Sequence, residues 1–308
     1  MPRLHGMWDI VSAVRNGQAR FEWEEVFSDV DGGRLFVSVM RDAMRFDGVP
    51  AMNWHREPIR GDERTFDGVR LPATAAEMQE IADMLFCMLP TPRVLDLVWS
   101  QAGLRFDPVV NLGPGKIVAN QNVHDVHAAV EKKIAASGGY PDHGIVASVG
   151  KYWSICNSLE APNPDKRPYG RNTACNYGWH SSGGAYAGVT PGIKVWQGIG
   201  TKHNDQHIDP SQVIRLMYRI ARLVRDDGSQ EKVDLYDVAA DPSLSSSINH
   251  GAPGRTALRV LRQPSVAEPE AAARADGTLV LPETVVYQGS PPSEMSEDEL
   301  ASFLARKG

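Results

Sequence analysis

The sequence predicts a mixed fold of the α+β class, with strands and helices in separate stretches of the chain. Three observations carry that expectation. Residues 19–50 alternate apolar and polar side chains between turn signals, the pattern of antiparallel strands. Residues 74–137 carry apolar side chains at helical spacing behind capping residues. Residues 144–200 return to short apolar runs separated by Gly- and Pro-containing loops, a second sheet region, and one long amphipathic helix is expected to follow it.

In the first stretch, Arg20 to Phe27 and Arg34 to Met40 are the alternating runs, with Asp31-Gly32-Gly33 as the turn between them. Arg45 to Val49 ends at another turn. Thr74 and Glu77 then form a capping box, in which each side chain satisfies the other's free backbone N–H. Met78, Ile81, Ala82, Leu85 and Met88 follow at helical spacing, up to Pro90. Thr91 caps a second helix with Pro92 at its first position, where a missing N–H costs nothing. A third helix is expected from about Ile117 to Ser137, stopped by Gly138-Gly139.

Strands are expected at 144–149, 152–157, 174–180 and 193–199, with a loop over 161–172. Asp209 and Pro210 read as the cap and first residue of the long helix. Val213, Ile214, Met217, Ile220, Ala221 and Val224 would be its apolar face and Asp226-Asp227-Gly228 its end. Residues 1–263 are thus expected to form one α+β domain. The Ala-, Glu- and Pro-rich residues 264–292 read as a linker, and 293–308 as a short helix capped by Ser296 with Glu299.

Composition excludes some functions. The chain has 308 residues, 42% of them hydrophobic, enough for a full core. A net charge of -6 gives no bulk attraction to nucleic acid. No run approaches the roughly 18 apolar residues of a membrane span. The first ten residues lack the layout of a secretory signal, so cytoplasmic synthesis is expected, which is compatible with release by a phage or a secretion machine. The three cysteines, Cys87, Cys156 and Cys175, form no CxxC pair, and an odd count argues against a disulfide framework.

Reactive polar residues concentrate between Cys175 and Ser211. His180, His203 and His207 could ligate a divalent metal such as zinc. However, His203 and His207 lack the glutamate of HExxH, and Pro210 places the helix start after them. Without a metal, His207 could act as base, Asp209 as its orienter and His180 as a second base. Cys175 is the candidate nucleophile, with a buried core thiol as the alternative. Trp153, Tyr177, Trp179 and Trp196 could instead be stacking platforms for sugars.

The segments Leu89-Pro-Thr-Pro-Arg-Val-Leu-Asp96, Thr173-Ala-Cys-Asn-Tyr-Gly-Trp-His180 and Asp209-Pro-Ser-Gln-Val-Ile-Arg-Leu216 resemble a family of bacterial and phage-associated proteins. In that family a Leu-Pro-Thr helix, a Tyr-Gly-Trp-His strand and an Asp-Tyr-Ser-His-Gly-Ile-Arg-Leu helix start occur in this order. Here Pro210, Gln212 and Val213 stand in place of the Tyr, His and Gly of the third motif. The resemblance, over about residues 35 to 262, implies a shared fold and no particular activity. The order His180, then Ser211-Gln-Val-Ile-Arg215, also resembles L,D-transpeptidases, but the nucleophilic cysteine of that family has no counterpart. That likeness implies only peptidoglycan peptides as ligands.

Two functional expectations follow. One is a hydrolase of amide bonds in cell-envelope, peptidoglycan-type substrates using the His/Asp cluster. The other is a non-catalytic protein: a component of a phage or secretion particle with protein partners or a homo-oligomeric state, or a carbohydrate-binding module.

Overall fold

The computed structural model describes residues 7–109, 122–142, 144–160, 173–250, 257–268, 290–296 and 298–301. It contains mixed helices and antiparallel sheets, an α+β architecture. In chain order the principal elements are α1 (Ile10–Arg15), β1 (Trp23–Val30), β2 (Gly33–Met40), α2 (Ala75–Met84), β3 (Cys87–Met88), α3 (Pro92–Gln101) and α4 (Val123–Ala136). There follow β4 (Lys151–Ser154), β5 (Thr173–His180), β6 (Tyr186–Ala187), β7 (Lys194–Asn204), β8 (Met217–Tyr218), β9 (Ile220–Arg225), β10 (Gln230–Asp234) and α5 (Leu235–Ala240). Among the described residues no helix is long and apolar enough to cross a membrane.

Local signals set several of these elements. β1 and β2 form a hairpin in full register from Trp23↔Met40 to Val30↔Gly33, turning at Asp31-Gly32. The Thr74–Glu77 capping box is present in both directions, at 2.9 and 3.1 Å. Thr91 accepts the Val94 N–H at 3.1 Å with Pro92 at the first position of α3. α4 begins behind Asn122 and ends at Ser137; the expected first residues of that helix, 117–121, lie outside the described residues. Ser296 and Glu299 exchange the hydrogen bonds of the expected cap. The loop 161–172 and most of the linker, 269–289, lie outside the described residues.

Three expectations are corrected. The helix expected to run to Pro90 stops at Met84, because Phe86 adopts φ 52 and the chain enters β3. Residues 144–149 make only an isolated bridge, Leu104↔Val146, although Ile145 to Val149 are buried. The largest correction concerns the long amphipathic helix over 210–225. That stretch is an irregular segment followed by β8 and β9. Its apolar residues fit helical spacing, but four of them, Val213, Ile214, Ile220 and Val224, are β-branched and suit a strand. Asp226-Asp227-Gly228 joins β9 to β10 as a hairpin turn. On β9, Ala221 and Leu223 are buried in the core. Arg222 points to the other face, ion-paired with Glu25 at 2.8 Å and 4.4 Å over the Phe36 ring.

One sheet runs β10–β9–β2–β8–β3, with β1 on the other edge of β2. The second runs β6–β7–β5–β4. The main core lies between the first sheet, α1, α2 and α3, and takes in Trp153, Ile155 and Ala174 from the second. A smaller core on the other side of β4 and β5 holds Tyr152, Tyr177, Val195, Leu95, Val130 and Ile134. The second sheet therefore has apolar contacts on both faces.

Candidate functional site

Strand β5 organises two polar assemblies. At its Thr173 end, Ala174 pairs with His203 of β7. β7 ends at Asn204, whose carbonyl accepts the His207 N–H at 3.2 Å. This tight turn folds His207 back over His203. Their rings stack with centroids 3.9 Å apart and an interplanar angle of 8°. The Trp153 ring meets both edge-on at 6.3 Å. Both histidines are half-buried. Burial, the His207 ring and the Lys151 ammonium push His203 down to about 4. Burial also lowers His207, with Asp209 opposing and Lys151 and His55 adding to the effect. Both imidazoles are therefore neutral at neutral pH and can accept a proton.

Next to them, Lys151 of β4 donates to Asp209 Oδ2 at 2.9 Å. The Ser211 N–H (3.0 Å) and its hydroxyl donate to Asp209 Oδ1. Asp209 thus satisfies a backbone N–H two residues on, as a capping aspartate would, without a helix behind it. Burial would raise its pKa, but the Lys151 charge and the Ser211 and Lys151 hydrogen bonds outweigh burial and lower it. Gly150 makes this approach possible. A side chain there would meet the Ser211 carbonyl at 2.5 Å, the strand of chain to which the Lys151 N–H donates at 2.9 Å. Trp179 has the left-handed φ of 55, uncommon for a bulky residue, and its ring lies 5.0 Å from Lys151 Nζ.

The second assembly is at the other end of β5. The Asp96 side chain, on α3, is wholly buried. It accepts the Tyr177 hydroxyl at 2.6 Å, His180 Nε2–H at 2.8 Å and the Thr190 N–H at 2.6 Å. Burial would raise Asp96, but His180, Tyr177 and Thr190 together hold it below its ordinary value. On a regular strand Tyr177 and His180 would face opposite ways. Gly178 (φ 137) and Trp179 (φ 55) break the pleat, so both side chains reach one carboxylate oxygen. Ser148 donates its hydroxyl to the His180 carbonyl at 2.5 Å, and His180 stacks on Trp99.

The sequence-predicted residues therefore separate. His203, His207 and Asp209 share one site. His180 pairs with Val195, six residues along β5 from the Ala174–His203 pair, about 20 Å at strand rise. Its expected convergence with His207 is not realised. Cys175 is buried and follows Ala174, so it projects from the opposite face of β5 to His203. Its thiol is pushed well above its ordinary value by Cys156 and by burial, which leaves it protonated and without nucleophilic access to the histidines.

The zinc expectation at His180, His203 and His207 is corrected as well. A metal bound to an imidazole nitrogen lies in that ring's plane. Two nearly parallel rings 3.9 Å apart share no such point, and His180 is remote. Among the described residues no group of three or more His, Cys, Asp or Glu is placed to hold a metal.

Sequence reasoning missed Lys151, Trp179 and Asp96. Lys151 carries a usable signal, a cation at the head of the otherwise apolar run Tyr152-Trp153. Asp96 carries little, because a buried acid in an amphipathic helix looks like a solvated one. A further cleft of about 460 Å³ is lined by Arg20, Arg41, Asp42, Arg45 and Tyr140, among others. Arg20, Arg41, Arg45 and Asp42 are already ion-paired. Asp42 accepts from Arg70 and Arg45, which overcome burial and hold it to about 2. Comparison with family models, with curated proteins and with solved structures returns no match.

Proposed function

We propose that the His203–His207–Asp209–Lys151 cluster is an acid–base site for hydrolysis of amide bonds in cell-envelope, peptidoglycan-type peptides. The observation that carries this reading is two neutral, half-buried histidines beside a lysine–aspartate pair held in fixed geometry. A general base needs a free lone pair and partial access to water, which these imidazoles combine. His207 takes a proton from water, the hydroxide attacks the amide carbon, and the C–N bond breaks as His207 hands that proton to the leaving amine. Lys151 places positive charge beside the developing oxyanion, and Asp209 fixes the position of Lys151. His180 has no part in this chemistry; its Nε2–H is committed to Asp96.

The test is incubation of the full chain with purified sacculi and soluble muropeptides, counting newly released amines. Wild-type protein releases them, and His207→Gln does so at least about 100-fold more slowly. Equal, background-level release by both proteins overturns the reading.

A second reading, a carbohydrate-binding module, is favoured by Tyr186 on β6 and Trp196 on the neighbouring β7, which are 59% and 41% exposed. Trp153 and Tyr177 are fully buried and cannot stack on a sugar. Co-sedimentation with sacculi that is lost in Trp196→Ala, without amine release, would support this second reading.

A further inference from the structure

β4 ends at Ser154, opposite Cys175 on β5. The chain continues through Ile155 to Cys156, which precedes a single 3-10 turn, Asn157–Leu159. Cys156 is therefore diagonal to Cys175 across the two strands, and the sulfur atoms are 3.3 Å apart. Both side chains are fully buried, in a small apolar cluster with Leu159 and Val260 and with Ile199 at its edge. Neither thiol belongs to the histidine site or to the main core. A disulfide requires the sulfurs to approach by a further ~1.3 Å, within reach of side-chain rotation.

We propose that Cys156 and Cys175 form a dithiol modification site that hydrogen peroxide converts to a disulfide. The two thiols are unequal, which suits the two steps. The hydrogen bond from Cys175 favours the Cys156 thiolate, outweighing burial, and Ser158 and the Leu159 N–H add to it. Once Cys156 ionises, Cys175 stays protonated and donates to its thiolate. In the first step the Cys156 thiolate attacks one peroxide oxygen. The O–O bond breaks, Cys156 becomes a sulfenic acid, and the departing hydroxide takes up the proton that Cys156 had released, giving water. In the second step the Cys175 sulfur attacks the sulfenic sulfur. The S–S bond forms, the S–O bond breaks, and the leaving hydroxide takes the Cys175 proton as a second water. Two thiols are oxidised by two electrons and one hydrogen peroxide molecule is reduced.

The link would join residues 19 apart in sequence and fasten the exit of β4 to the entry of β5. Ala174, the strand partner of His203, directly precedes Cys175. Oxidation therefore constrains the strand end beneath the stacked histidines. The proposal does not depend on what those histidines catalyse.

The experiment treats the full chain with hydrogen peroxide, blocks remaining thiols with iodoacetamide under denaturing conditions, and maps tryptic peptides without reductant. The expected result is a loss of 2 Da from the intact protein and a linked pair made of residues 152–166 and 172–194, abolished by dithiothreitol. Cys87→Ser keeps the link, and Cys156→Ser and Cys175→Ser lose it. The oxidised wild type also unfolds at a higher urea concentration than the reduced form. If folding of either serine variant fails, the wild-type peptide map still decides. Three separately alkylated cysteines, a link through Cys87, or peroxide capture only as sulfinic and sulfonic acids would overturn the proposal.

Discussion

At its His180 end, β5 closes on a carboxylate whose partners all lie inside the protein. At its Ala174 end, it supports two histidines that half face solvent. Both regions are built from histidine, aspartate, tryptophan and a neighbouring hydroxyl. They differ in how much hydrogen-bonding capacity is left over. Asp96 accepts three donors and fixes α3, β5 and the loop at Thr190 to one another. His203 and His207 touch mainly rings, and Asp209 is held so that the lysine beside them is held too. A fully satisfied buried network rigidifies, whereas chemistry requires a group with a free lone pair and access. Residue type alone does not separate the two cases.

The sharpest way to break this comparison is to remove the carboxylates. Asp96→Ala is expected to cost about 3–5 kcal/mol, because it leaves His180 and Tyr177 buried without their acceptor. Asp209→Ala is expected to cost less, since one large buried side chain, Lys151, loses its acceptor instead of two, and it keeps its 5.0 Å contact with Trp179. Urea titration measures both, and equal losses would dissolve the distinction between a structural and a functional end.

The histidines sharpen it next. His180→Gln should destabilise by about 1–3 kcal/mol through the lost Asp96 contact. His207→Gln should leave the urea midpoint nearly unmoved while amide release falls about 10²–10⁴-fold. A His207→Gln variant that is fully active but unstable would assign the stacked pair to structure instead.

A smaller effect is expected from pH. His203 and His207 have folded pKa values below the ordinary histidine value of about 6.5. Between the folded and unfolded values the unfolded chain binds more protons, so stability falls as pH falls. The contribution is complete above about pH 6.5 and is lost progressively toward about 4, the folded value of His203. Urea midpoints from pH 7.5 to 4.5 should show this slope, to which the half-buried His127, lowered to about 3, also contributes, and His203→Gln should reduce it.

The smallest expected effect is at Trp179. Trp179→Gly relieves a left-handed backbone but removes the ring from Lys151, and these changes oppose each other within about 1 kcal/mol. Stability measured beside amide release would show whether the ring serves the site or only the strand.

Part of this molecule was legible in its sequence. The Thr74–Glu77 box, the Thr91-Pro92 helix start and the Asp31-Gly32 hairpin are contacts among residues a few positions apart, and each occurs where the sequence places it. The clustering of His203, His207 and Asp209 was legible for the same reason. They are near neighbours in sequence, and a tight turn brings them together. Lys151 was not legible, because it joins Asp209 across 58 positions. Nor was the separation of His180, which follows from a register that pairs it with Val195 while Ala174 pairs with His203.

The sequence by itself determined the α+β class, the starts of the capped helices and the first hairpin. These depend on local hydrogen bonds and periodicity that any compact chain would keep. Only the tertiary structure decided that residues 217–225 pair as strands instead of coiling into a helix. Their apolar spacing is helical, and strand pairing is made with partners as distant as Glu25, 197 positions from Arg222. The same holds for the Cys156–Cys175 contact and for the two ends of β5. In each, the deciding contact joins residues from separate elements, and which residues meet is set by register and burial across the whole fold.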